Sequence, residues 1–218
     1  MDVNDPNLTY ALEVDDNSAF NNLEVNVTNI AEGTTNTSYT ITTELSLDTT
    51  YYWRVKANDS EAGIYGNYSS VFNFTIQSFL AITLSPNTVA FGTQNPGSRL
   101  TTSNKSLVGE VQPFQLRNDG NVLANISVNA SAMFSSVSFP SNYYQYRIEE
   151  NETGSFNRTL SNVSYVNMSA ISSLAIVFLR WQDVDDDLIV GFNLTVPEDA
   201  LDEPAGAKSS TVTFSATG

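Results

Sequence analysis

The chain is 218 residues long, 41% apolar, with 24 acidic against 9 basic side chains, a net charge of −15, and neither Cys nor His. That length suits one large or two ordinary domains, and 12 Phe with 10 Tyr are ample for a core, which excludes a disordered chain. The acidity repels nucleic-acid backbones and anionic membranes, and the missing His removes Ser-His-Asp, Cys-His and His-ligated metal chemistry.

Helical periodicity is nearly absent, while short alternating segments recur with Gly, Asn, Asp and Pro between them. The fold class expected is all-β, in two tandem β-sandwich domains. In chain order, alternation predicts strands over residues 9–14, 23–28, 38–45, 50–57 and 71–76 of a first domain, residues 1–78. A break over 77–80 leads into a second domain, residues 79–218. Its predicted strands are 81–85, 88–91, 111–117, 122–130, 143–149, 164–168, 174–182, 188–196 and 210–216, with short helical turns expected near 169–173 and 198–202. The longest apolar run, Leu174 to Leu179, falls far short of the roughly 18 residues that a spanning helix needs, and reads as a buried strand. Met1 is followed by Asp2, Val3, Asn4 and Asp5, which is no signal peptide, so an exported chain would be mature, trimmed or a piece of a longer product.

Fourteen Asn residues stand in the acceptor pattern Asn-x-Ser/Thr: Asn7, Asn26, Asn36, Asn58, Asn67, Asn73, Asn104, Asn125, Asn129, Asn151, Asn157, Asn162, Asn167 and Asn193. With 24 Asn and 48 Ser plus Thr in the chain, chance gives about 5 such triplets. Crowding of Asn and Ser/Thr in turns could raise that number, but would not place acceptors in mid-strand at a fixed parity. Leu188, Val190, Phe192, Leu194 and Val196 form one apolar row, with Asn193 on the opposite parity. Asn125 and Asn129 oppose Val122, Ala124, Ile126 and Val128, Asn73 opposes Phe72, Phe74 and Ile76, and Asn26 opposes Leu23, Val25 and Val27. Strand side chains alternate faces, so each acceptor is expected to stand in water, where N-glycosylation in an export pathway requires it.

Asp183, Asp185, Asp186 and Asp187 lie between two apolar strands in a short loop. Four carboxylates there suit a solvated turn, or a Ca²⁺ site without the Gly and distal Glu of an EF-hand loop. The loop at Asp15, Asp16 and Asn17 is a weaker version, and Glu198, Asp199, Asp202 and Glu203 form a third acidic patch. Tyr143, Tyr144, Tyr146 and Trp181 are spaced for stacking on sugars or, equally, for packing a core. No motif with a catalytic mechanism is present, so no catalytic residue and no resident cofactor is expected beyond that candidate Ca²⁺.

Leu45 through Asp59, with Tyr51 six residues after Leu45, resembles the E–F corner and F strand of a fibronectin type III domain, and Tyr65 through Ile76 resembles its F–G loop and last strand. The resemblance covers about residues 3–77 and implies a tyrosine corner, in which the Tyr51 hydroxyl closes back onto backbone upstream. It also implies seven strands, of which the first two have no counterpart in this sequence. Either the chain starts mid-domain, or a neighbouring subunit supplies the missing strand. The second domain resembles immunoglobulin-like sandwiches of prokaryotic surface proteins, on Phe114–Val122, where Asp119-Gly120 would supply a positive-φ hairpin residue, and on Val196 through Phe214.

The function expected is architectural: a non-enzymatic, heavily N-glycosylated extracellular protein of a prokaryotic, archaeal-type cell surface, serving spacing, adhesion or assembly into a surface layer or filament. Zero Cys with dense acceptors points that way, since secreted animal domains often carry disulfides. Partners would be neighbouring surface proteins, copies of itself, or glycans, with no nucleic acid and no membrane insertion. The competing expectation is a carbohydrate-binding or spacer module of a larger secreted enzyme.

Overall fold

The computed structural model describes residues 8–59, 61–102, 111–198 and 203–218. Among them the chain is all-β, with fourteen strands in antiparallel pairs and no helix. It separates into two compact units, Met1–Ser78 and Phe79–Gly218.

In the first unit β1 (Leu8–Asp15), β2 (Val25–Ala31), β3 (Thr49–Asp59), β4 (Ile64–Tyr65) and β5 (Phe72–Ile76) form one sheet, ordered β2-β1-β3-β4, with β5 also on β3. Period-two alternation builds its apolar face. Val14, Val25 and Tyr51 are buried, and Leu12, Val27, Trp53, Phe74 and Ile76 pack round them. Tyr51 stacks on Phe74 across the strands at 5.7 Å between ring centroids, and Trp53 on Phe72 at 4.9 Å. Such aromatic pairs add roughly 0.5–1.5 kcal/mol each beyond the area they bury.

The strand predicted over 38–45 does not form. The segment carries no ladder, although Ile41 and Leu45 still pack on the core. Alternation reports which face is buried, whereas a strand also needs a neighbour to bond with, and none pairs with this segment among the described residues.

The second unit is a sandwich. β6 (Ile82–Ser85), β7 (Arg99–Thr101), β8 (Phe114–Asn118), β10 (Tyr144–Glu150), β11 (Val166–Asn167) and β13 (Asp187–Thr195) form one sheet, ordered β11-β10-β13-β8-β6, with β7 also on β13. β9 (Ala124–Ala130), β12 (Ser173–Leu179) and β14 (Val212–Thr217) form the other, ordered β12-β9-β14. Leu116, Ile148, Leu188 and Val190 from the first sheet share one core with Ile126, Ile176 and Leu179 from the second. Phe114 meets Phe192 and Phe214 edge-on at 5.3 and 6.0 Å, the second of these across the two sheets.

Three further expectations are corrected. Residues 88–91 bring Val89 and Phe91 to the core without forming a strand, and 169–173 contain a bend rather than a helical turn. Of the turn expected over 198–202, residues 199–202 lie outside the described residues. Gly120 does not use a positive φ. It is needed because a Cβ there would sit 2.4 Å from the Phe79 carbonyl oxygen, so the requirement is close backbone approach.

Candidate functional site: the acceptor asparagines and the acidic loop

Of the fourteen acceptors, Asn7 and Asn104 lie outside the described residues. Asn26, Asn36, Asn67, Asn73, Asn151 and Asn167 are exposed, and Asn125, Asn129, Asn157 and Asn162 are half-buried. Edge position explains much of this: among the described residues Asn26 on β2, Asn73 on β5 and Asn167 on β11 belong to strands with an open side.

Two acceptors depart from the expectation. Asn193 has the predicted parity, but it is 1% exposed. It sits on the central strand β13, and Gln145 and Arg99 from the flanking strands close over it. Its Nδ2 donates to Gln145 Oε1 at 2.8 Å, and its Oδ1 accepts from Arg99 Nε at 3.3 Å. Asn58, 8% exposed on the central strand β3, donates from Nδ2 to Thr9 Oγ1 at 3.3 Å. A glycan needs both a free nitrogen and open space, and neither position supplies them.

The nitrogen that would carry sugar separates the remaining acceptors. In Asn125, Asn157 and Asn167 the carbonyl oxygen is occupied, accepting from Phe178 N–H at 3.1 Å, from the Thr159 and Leu160 N–H groups at 3.1 and 3.2 Å, and from Gln145 Nε2 at 2.9 Å. Their Nδ2 atoms make no hydrogen bond among the described residues. In Asn151 and Asn162 Nδ2 is itself engaged, with Asp187 Oδ2 at 3.0 Å and the Tyr146 hydroxyl at 2.9 Å.

The carboxylates of the acidic loop turn to separate partners. Asp185 pairs with Arg180 at 2.9 Å, Asp187 accepts from Asn151 and Gln115, and Asp183 faces solvent. Glu152 accepts the Asp186 and Asp187 backbone N–H groups at 2.9 and 3.1 Å, tying the turn down from another loop. Burial, with Glu152 nearby, pushes the Asp186 carboxyl above its ordinary range, against the pull of Arg117. Among the described residues no group of three or more acidic, His or Cys side chains gathers to hold an ion. The Ca²⁺ expectation at Asp183, Asp185, Asp186 and Asp187 thus finds no coordination shell in the loop.

Tyr144 and Tyr146 belong to the core, at 4% and 3% exposure, so their alternation is that of strand packing. An open cleft of about 1080 Å³ runs between the segments 87–94 and 203–212, over Phe114, Tyr144, Phe192 and Leu194. Its charged lining residues are Glu203 and Lys208, which pair with each other. Glu203 also accepts the Ser135 and Ser136 N–H groups at 2.8 and 2.7 Å. The Lys208 ammonium, together with these backbone donors, overcomes desolvation and holds the Glu203 carboxyl at about 2.

Two arrangements escaped sequence reasoning. On the polar face of the first sheet the Arg54 guanidinium lies 4.0 Å from the Phe20 ring centroid and 3.9 Å from that of Tyr68, and the Lys56 ammonium lies 4.5 and 4.6 Å from Tyr68 and Tyr65. Glu13 ties the ladder in, 2.7 Å from Arg54 and hydrogen-bonded by the Tyr68 hydroxyl. This pins the loop that displays Asn67. Arg54 and Lys56 share one parity along β3, opposite the core-facing Tyr51 and Trp53, but their aromatic partners lie in other segments of the chain. The second is Asn118, fully buried, whose Nδ2 donates to the Val122 and Leu179 carbonyls at 2.8 and 3.1 Å while its Oδ1 accepts from Gly120 N–H. It joins β8 to β12 across the sandwich.

No protein-family model and no curated protein matches this chain. Among solved structures, an α-L-rhamnosidase from Dictyoglumus thermophilum aligns with 97% of this chain at 10% identity and a TM-score of 0.20, and the chain spans 24% of that protein's length. A likeness that slight carries no argument about fold or function.

Proposed function

We propose that this chain is a non-enzymatic, heavily N-glycosylated extracellular protein of a prokaryotic, archaeal-type cell surface. Its work is spacing, adhesion or assembly with neighbouring surface proteins or copies of itself, as in a surface layer or filament. The observation that carries this reading is that ten of the twelve described acceptors are exposed or half-buried, in a chain with no Cys and a net charge of −15. A surface that displays sugars keeps its acceptors at strand edges and in loops, as most of these are.

Finer resemblances support the same reading. The Tyr51 hydroxyl accepts the Ser46 backbone N–H at 2.9 Å, the closure expected of a tyrosine corner in a fibronectin type III-like unit. The second unit, two antiparallel sheets on one core, suits an immunoglobulin-like module. Modules of this kind act mechanically: stiff sandwiches hold a spacing, and glycans solvate their faces. The test is the intact mass of protein purified from its native cells, before and after chemical deglycosylation. A ladder of sugar-bearing species that collapses to the polypeptide mass supports the proposal, and a bare polypeptide mass from the start overturns it.

A further inference from the structure

The three-stranded sheet of the second unit has an unusual surface. Its strands read Ala-Asn-Ile-Ser-Val-Asn-Ala, Ser-Leu-Ala-Ile-Val-Phe-Leu and Val-Thr-Phe-Ser-Ala-Thr, without one charged residue in a chain that holds 24 acidic and 9 basic ones. The outer face is correspondingly neutral. On β9 it presents Asn125, Ser127 and Asn129, with Thr217, Ser215 and Thr213 opposite them on β14. On β12 it presents Leu174, opposite Ser127 and 54% exposed, and Phe178, 46% exposed. β14 pairs with β9 alone, leaving its second edge without a strand among the described residues. A neutral, partly apolar sheet with an open edge is the kind of surface that natural proteins blunt with charge. This one is not blunted by charge.

Phe178 is also strained. Its φ is 57°, a left-handed conformation that bulky residues avoid, at a point where the β9–β12 register shifts. Its backbone N–H is held by Oδ1 of Asn125, whose own nitrogen is left without a protein partner among the described residues. An acceptor asparagine therefore touches the strained, exposed aromatic residue directly, at one end of the uncharged face. Strain of this kind persists where something else depends on the geometry.

We infer that Asn125 is a glycosylated position whose sugar lies over Phe178 and Leu174 and covers the uncharged face of this sheet, with Asn129 as a second acceptor on the same strand. The inference rests on the glycoprotein reading above and adds a role for one particular site. Asn125 Nδ2 would displace the lipid phosphate from the anomeric carbon of a lipid-linked glycosyl donor. The carbon–oxygen bond breaks with its electron pair leaving on the phosphate, the carbon–nitrogen bond forms, and the proton lost by the amide neutralises one negative charge of the departing phosphate. Sugar faces rich in C–H groups pack well on an exposed aromatic ring, and their hydroxyls return a wet surface to solvent.

The experiment uses full-chain protein made in its native cells or another N-glycosylating host, with glycopeptide mapping and binding of an apolar-surface dye as the two readouts. Asn125→Gln removes the acceptor nitrogen. Ser127→Ala abolishes the acceptor pattern while keeping the Asn125–Phe178 hydrogen bond, which guards against a folding defect in the first variant. Occupancy at Asn125 is expected, with several-fold higher dye binding in Ser127→Ala, returning to the wild-type level when Leu174→Thr and Phe178→Asn are added. A bare Asn125 beside occupied exposed acceptors overturns this inference and leaves the proposed function standing. The inference also falls if Asn125 is occupied yet Ser127→Ala binds no more dye than wild type. If no acceptor carries sugar, both readings fall together.

Discussion

At the scale of single residues, burial and hydrogen-bond satisfaction decide what each amide can do. Asn118 and Asn125 have the same side chain, yet one is sealed between sheets with both ends satisfied and the other stands on a face with its nitrogen unpartnered among the described residues. Replacing Asn118 by Ala removes its bonds to the buried Leu179 carbonyl, the part-buried Val122 carbonyl and the Gly120 N–H, so a loss of about 2–4 kcal/mol in unfolding free energy is expected from denaturant titration. Glu203 gives a pH signature. Its carboxyl is held at about 2, below its ordinary 4.5, so the folded state binds that proton more weakly than the unfolded chain. Its stabilising contribution is fully present above the ordinary value and is lost as pH falls toward about 2. In melting curves across acid pH, wild type should lose its advantage over Glu203→Gln in that window; an advantage unchanged down to pH 2 would contradict the assignment.

At the scale of elements, the sequence carried the inner faces of strands but not their neighbours. The alternation in Leu188, Val190, Phe192 and Leu194 located the core face of β13 correctly. Nothing local says that β13 is central and covered on its other face too, which is why Asn193 is buried. Strand β7, only three residues with one apolar side chain, left no alternation to detect, and β4 has two residues. Residues 38–45 and 88–91 show the converse: apolar alternation that reaches a core without a ladder. The acidic loop was legible as a turn, while the Arg180, Asn151 and Gln115 partners that divide its carboxylates were not. The Tyr51 closure follows from the resemblance of Leu45 through Asp59 to a fibronectin type III corner, and the structure adds that its backbone partner is Ser46. Tyr51→Phe should cost roughly 0.5–1.5 kcal/mol by the lost hydrogen bond alone, with ring packing on Phe74 retained. A neutral result in thermal unfolding would show that the corner is dispensable.

At the scale of the whole molecule, charge and acceptors describe one surface. A net charge of −15 opposes non-specific association, and the uncharged sheet of β9, β12 and β14 lies outside that protection. Under the proposed function, glycans would supply a second means of solvation that needs no charge. The proposed function therefore depends on where sugar is attached, and a site-resolved glycopeptide map of the native-source protein tests it most directly. It predicts sugar at the exposed acceptors Asn26, Asn36, Asn67, Asn73 and Asn167, and at Asn125, with Asn58 and Asn193 bare. Sugar on Asn193 and Asn58 with the exposed acceptors empty would contradict it.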